Sequence, residues 1–135
     1  MKIAINDRRK IFAIQSDFNE TFPYLRLDFF ATPHEPGRPS TKKIIRHASK
    51  TLGECRTIHK SGTITITPGM TVTDLEQNFS SVYGLSVQIF RKSGRAWLET
   101  TVTDGWTLEE QNRQGEELSK AKSATGGVPD ENQFE

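Results

Sequence analysis

Few side chains in this sequence are suited to chemistry. One cysteine, Cys55, and three histidines, His34, His47 and His59, occur in 135 residues. Cys55 lies between Glu54 and Arg56, with His59 four positions on. On a helix the two would share a face, and the imidazole could take the thiol proton to give a nucleophilic pair. The stretch Glu54 to His59 reads instead as a strand. Residues four apart on a strand stand about 13 Å from each other at a rise of ~3.3 Å per residue. As metal ligands, His34, His47, Cys55 and His59 are spaced thirteen, eight and four residues apart. That matches no zinc-finger spacing, and zinc needs ligands converging at about 2.0–2.3 Å. Glu109, Glu110, Glu116 and Glu117, preceded by Asp104, fit helix-dipole and ion-pair roles better than an acid/base pair, whose raised pKa needs burial. No G-x-G-x-x-G, P-loop or G-x-S-x-G pattern occurs. The expectation is a non-enzymatic protein with no cofactor and no metal.

Binding residues are more visible. Residues 38–60 carry seven Lys/Arg against one acid, Glu54. Arg38, Lys42, Lys43, Arg46, Lys50, Arg56 and Lys60 could follow a phosphate backbone, with aromatic rings stacking on bases. This makes a single-stranded nucleic-acid binder the alternative. Against it stand the missing RNP and GXXG motifs and an acidic second half. The leading expectation is protein contact. Phe90, Arg91, Arg95, Trp97 and Trp106 cluster around one hairpin, and Trp and Arg are enriched in binding hot spots. A hairpin edge can also pair with another chain's strand.

Composition bounds these readings. A third of the chain (33%) is hydrophobic, 26% is charged, and the net charge is +1. The near-neutral balance is an average. Residues 1–62 hold twelve Lys/Arg against six acids, giving +6, and residues 63–135 hold six against eleven, giving −5. Opposite halves suit a head-to-tail homodimer or an internal ion-paired contact. The sequence has no apolar run that could span a membrane and no apolar stretch near Met1 typical of a secretory leader. A single cysteine excludes an intramolecular disulfide. A cytoplasmic protein is expected.

Two similar strand–helix–strand units must position the binding residues, as a pseudo-repeat over 1–31 and 62–102. Ile3 and Ile5 alternate; Ile11, Ile14, Phe18 and Phe22 follow at helical spacing; Leu25, Leu27 and Phe29 alternate again. In the second unit the sets are Ile64 and Ile66; Val72, Leu75, Phe79 and Tyr83; and Leu85, Val87 and Ile89. Helices are predicted over 8–20 and 71–83. Thr71 and Asp74 mark an N-terminus and Gly84 a left-handed C-terminus. Lys60-Ser61-Gly62 and Lys92-Ser93-Gly94 predict hairpin turns. Lys43 to His47 is a further candidate strand. Thr107-Leu108-Glu109-Glu110 is a capping-box pattern that opens a third helix, with Glu109–Arg113 and Glu116–Lys120 as ion pairs. That helix has few large apolar residues and an internal Gly115, so it is expected to be marginal and surface-lying. Thr32 to Thr41, with three prolines, reads as a loop.

The fold class is therefore α+β: a mixed sheet with two helices on one face, forming a single domain over 1–118, with a disordered tail over 119–135. The run from Gly69-Met70-Thr71-Val72 through Tyr83-Gly84-Leu85 to Lys92-Ser93-Gly94, continued by Trp97-Leu98-Glu99 and Asp104-Gly105-Trp106, resembles a family of small bacterial α/β modules. The resemblance implies a strand–helix–hairpin and carries no activity or site residue. The partner is expected to be a protein or a second copy, met through the second hairpin and the helix-free sheet face.

Overall fold

Alternation of isoleucine with polar residues makes the first strand, β1 (Lys2–Ile5), which buries only Ile3 and Ile5. The computed structural model describes residues 1–31 and 44–124. After β1 come α1 (Ile11–Thr21), β2 (Leu25–Phe30), a 3-10 turn (Leu52–Cys55), β3 (Gly62–Thr65), α2 (Val72–Tyr83), β4 (Ser86–Ser93), β5 (Ala96–Glu99) and α3 (Leu108–Ala124). The α+β class holds. The single mixed sheet does not. Among the described residues there are two antiparallel sheets, β1–β3 and β2–β4–β5. Each strand pairs with its counterpart in the other unit, so β1 and β2, joined by α1, end in different sheets. Ile3 lies opposite Ile64, and Asp28 lies opposite Gln88.

One register sorts the larger sheet into two faces. Leu25, Leu27 and Phe29 lie opposite Arg91, Ile89 and Val87. The apolar members join Ile14 and Phe18 of α1 and Leu75 and Phe79 of α2 in one core. Phe29 and Phe79 meet edge to face, with centroids 6.2 Å apart, a geometry worth about 0.5–1.5 kcal/mol beyond burial. Arg26, Asp28 and Phe30 lie opposite Phe90, Gln88 and Ser86 on the other face.

The helix termini show why some boundaries moved. At α2, Thr71 Oγ1 accepts from the Asp74 amide, and Gly84 closes the helix at φ 65°. Helix α1 has no side-chain cap. Its first amides, from Ile11 and Phe12, donate to the carbonyls of Lys50 and Ala48, which satisfies groups every helix leaves open. It therefore starts at Ile11 rather than residue 8. The predicted strand Glu54 to His59 is instead a 3-10 turn followed by irregular chain. Consequently Lys60-Ser61-Gly62 is not a hairpin turn, and Gly62 pairs with Ile5. Of Lys43 to His47, Ile44 makes an isolated bridge to Phe30; Lys43 and Thr32–Thr41 lie outside the described residues.

Helix α3 departs most from expectation. It runs 17 residues, through Ala124, so the expected irregular tail starts six positions too early; residues 125–135 lie outside those described. It is seated on the sheet through polar and small residues. Gln111, fully buried, donates to Thr103 O at 2.7 Å and accepts from Arg91 Nη1 at 2.9 Å. Asn112 accepts from the Tyr24 amide, and Ser119 from the Gly94 amide. Thr107 Oγ1 caps the Glu110 amide, but the Glu110 carboxylate turns to Arg113 at 2.6 Å instead of completing the box. Arg113 pairs with Glu110 and Glu117 rather than Glu109; Glu116–Lys120 forms as read.

The two halves share backbone hydrogen bonds as well as elements. The Leu52 amide donates to Arg9 O and the Leu108 amide to Met70 O; the Gly53 amide donates to Asp7 O and the Glu109 amide to Pro68 O. Ile11 to Lys50 and Phe12 to Ala48 recur as Val72 to Trp106 and Thr73 to Asp104. The bond from the Ile45 amide to Phe29 O recurs from Thr100 to Ile89 O. The sequence carries a trace of this in Thr51-Leu52-Gly53-Glu54 beside Thr107-Leu108-Glu109-Glu110.

A Cβ at Gly115 would stand 2.9 Å from Tyr24 Cβ and 3.1 Å from the Tyr24 carbonyl oxygen. Helix propensity alone makes Gly115→Ala stabilising by about 1 kcal/mol. Overpacking here reverses the sign, with an expected loss of ~1–3 kcal/mol in urea unfolding. A stabilised variant would mean that α3 is not seated on Tyr24.

Candidate interaction surface

The hairpin β4–β5 is closed by Gly94 and Arg95. Gly94 has φ 65° and Arg95 does not have positive φ, the combination of a type II′ turn, whose twist matches the strands it joins. Ser93 therefore faces Ala96, and the ladder continues through Lys92–Trp97, Arg91–Leu98 and Phe90–Glu99. Trp97 and Glu99 fall on the helix-free face, while Leu98 falls on the helix face.

On the helix-free face a cation–aromatic cluster crosses three strands. The Arg26 guanidinium lies 5.4 Å from the centroids of both Phe90 and Trp97, and Lys92 Nζ lies 5.9 Å from Trp97. Such contacts contribute about 0.5–1 kcal/mol at exposed sites. Asp28, buried, anchors Arg26 at 2.6 Å and also accepts from Gln15. Glu99 is exposed and has no ion-pair partner among the described residues.

The outer side of β5 has no strand beside it among the described residues. In an antiparallel ladder, pairs alternate between exchanging hydrogen bonds and not. The two-residue loop makes Ser93–Ala96 an exchanging pair, hence Arg91–Leu98 as well; the Thr100 amide to Ile89 O bond continues the series. Trp97 and Glu99 therefore turn their amides and carbonyls to the open edge. Leu98 is 43% exposed beside it, and Trp106, next to Arg91, is 40% exposed.

The five residues expected at a protein contact divide between two faces. Phe90, buried, and Trp97, half-buried, lie on the helix-free face. Arg91 lies on the helix face, bonded to Gln111 and 5.6 Å from the Trp106 ring. Trp106 stands just before α3, and Arg95 is at the exposed turn. Arg26 completes the cluster; its place between Leu25 and Leu27 in the β2 alternation signalled only that it faces away from the core, and its position opposite Phe90 comes from the register.

The basic stripe is not continuous. Arg46, Lys50 and Lys60 are exposed, and Arg38, Lys42 and Lys43 lie outside the described residues. Arg56 is a correction: it is 5% exposed and cannot follow a phosphate backbone. Its guanidinium donates to Asp7 Oδ1 at 2.9 Å and 3.1 Å and to Tyr83 O at 2.9 Å. A buried guanidinium requires such partners. Asp7 Oδ2 meets His59 Nδ1 at 2.9 Å. His59, then Arg56, hold the Asp7 carboxyl below the ordinary carboxylate value, against a smaller opposing effect of burial. His59 thus faces Asp7, while the Cys55 thiol donates to Thr51 O within its own turn. Burial pushes the Cys55 pKa up and so disfavours the thiolate. Among the described residues no three His, Cys, Asp or Glu side chains converge as a metal would require, and no helix is long and apolar enough to cross a membrane.

Comparison with known protein families, with curated proteins and with solved structures finds no match to this chain.

Asp7 gives the ion-pair cluster a pH dependence. Its folded pKa lies below the unfolded one, so its contribution to stability is fully present above the unfolded value of about 3.9. It is lost as pH falls through the lower folded value. Asp7→Asn is expected to lower stability at pH 7 and to flatten the acid limb of the stability–pH curve. It should cost more than Asp17→Asn, whose partner Arg9 is partly exposed. Equal costs for the two variants in denaturant titrations would contradict the Arg56 anchor.

Proposed function

We propose that the protein is a non-enzymatic protein-interaction module that binds through the β4–β5 hairpin and the sheet surface around it. The observation that carries this reading is the open edge of β5. Backbone groups of Trp97 and Glu99 point outward there, between an apolar flank (Leu98, Trp106) and a cationic one (Arg26, Lys92). An exposed edge strand is a template for another strand unless something blocks it. Main-chain bonds then supply affinity, and alternate side chains supply selectivity. A single buried thiol suits a reducing compartment such as the cytoplasm. The recurrent backbone hydrogen bonds support reading the two halves as copies of one unit, with the completed hairpin and α3 of the second copy adapted for contact.

A photo-cross-linking residue at position 98, introduced in cells, is expected to yield protein adducts. The same residue at Glu20, on the solvent-exposed side of α1, should yield none. Adducts from neither position, or equally from both, would remove the hairpin as the contact surface.

Single-stranded nucleic acid remains the competing partner. Arg46, Lys50 and Lys60 are available to it and Arg56 is not. The expected result is no binding of a generic oligonucleotide at low salt, where the phosphate contribution is strongest. Tight binding there that weakens steeply with added salt would favour that partner instead.

A further inference from the structure

We propose that the partner of the β5 edge is a second copy of this chain, paired antiparallel with Leu98 on the two-fold axis. The inference rests on reading that edge as a contact surface, and it adds the occupant and the register. The pattern of groups along the edge selects the register. Only Trp97 and Glu99 of β5 direct amide and carbonyl outward. With Leu98 opposite Leu98 of the second copy, Trp97 faces Glu99 in both directions. Each such pair exchanges two hydrogen bonds, so every outward group on β5 is satisfied. Centring the axis on Trp97 or on Glu99 would leave one of them without a β5 partner.

Side chains agree with that register on both faces. On the helix face Leu98, 43% exposed, meets its own copy in a non-hydrogen-bonded pair, where side chains approach most closely. Trp106, 40% exposed and beside Arg91 opposite Leu98, extends this apolar contact. On the helix-free face Glu99 of one copy comes beside Trp97 of the other, where Arg26 and Lys92 gather. Arg26 already holds Asp28, but Lys92 has no carboxylate partner among the described residues. Glu99, equally without one, supplies it across the interface. The contact is complementary to itself, as an isologous interface must be. The chain makes the same kind of junction twice internally, where β1 meets β3 and β2 meets β4.

A short ladder with a modest apolar flank predicts a weak dimer, with dissociation on the order of micromolar or above. Sedimentation equilibrium of the full chain from about 1 μM to about 1 mM is expected to show a mass rising from one chain toward two. Amide hydrogen exchange at Trp97 and Glu99 should slow over the same range. Leu98→Glu should hold the chain monomeric, by setting two carboxylates against each other on the axis, with unchanged circular dichroism and no loss of unfolding midpoint, since Leu98 is exposed at a sheet edge and stands opposite Arg91. Glu99→Lys should weaken association several-fold, and adding Lys92→Glu should restore it. A mass of one chain throughout overturns the second-copy partner but not the edge reading; position 98 must then cross-link to a different protein. A dimer that survives Leu98→Glu, or one that forms without slowing exchange at Trp97 and Glu99, overturns the proposal by locating the contact elsewhere.

Discussion

Pairing of β2 with β4 is the interaction on which the rest of the molecule depends. Its register decides in one step which side chains enter the core and which line the opposite face. With Leu27 opposite Ile89, the residues under the three helices are apolar or bonded to α3. A slip of one residue would turn Arg26 and Asp28 inward and expose Leu25 and Phe29. The pairing also joins the two strand–helix–strand units across their whole width, so neither has its own closed core. Helix α3 and β5 are built on β4 and depend on it. Arg91 shows the linkage in a single residue: its strand position faces Leu98, and its guanidinium reaches Gln111 and the Trp106 ring.

What could be read in the sequence follows from how locally each feature is held. Helix α2 was legible because its signals sit within a turn of its ends: Thr71 on the Asp74 amide, and Gly84 in the left-handed conformation. Helix α1 was legible in its middle and not at its start, because the carbonyls that cap it come from Ala48 and Lys50. No nearby residue type announces a distant carbonyl. The seating of α3 was hidden for a related reason. Apolar periodicity finds helices that dock with leucines, whereas α3 docks with Gln111, Asn112, Gly115 and Ser119, residue types that usually signal exposure. The single-sheet expectation failed because alternation reports which face of a strand is buried and says nothing about which strand lies beside it.

The candidate surface divides in the same way. Gly94 identified the hairpin, and the alternation of Phe90, Arg91 and Lys92 already implied that the chosen residues could not all share a face. Arg56 was misleading because a basic residue in a basic segment reads as exposed, while its acceptors, Asp7 and the Tyr83 carbonyl, are distant in sequence. Burial of that one guanidinium interrupts the stripe. It converts part of a presumed ligand surface into a tie among the β1–α1 turn, the 3-10 turn and the end of α2. Of that segment, Arg46, Lys50 and Lys60 remain exposed.

The capping of α1 and α2 by distant carbonyls also sets an order of events during synthesis. A ribosome adds roughly 5–20 residues per second. β1 therefore emerges several seconds before β3, the strand it must pair with, and α1 waits for residues 48–50 before its first amides are satisfied. Pairings of this sequence separation make folding slow compared with local hairpins and helices. Helix α2 likewise waits for residues 104–106, whereas the β4–β5 hairpin needs only its own turn and can close as soon as it leaves the tunnel. The nascent chain thus exposes isoleucine-rich β1 well before its partner and completes the β4–β5 hairpin later but quickly. The interval between those two events is when it most needs protection from pairing with the wrong neighbour.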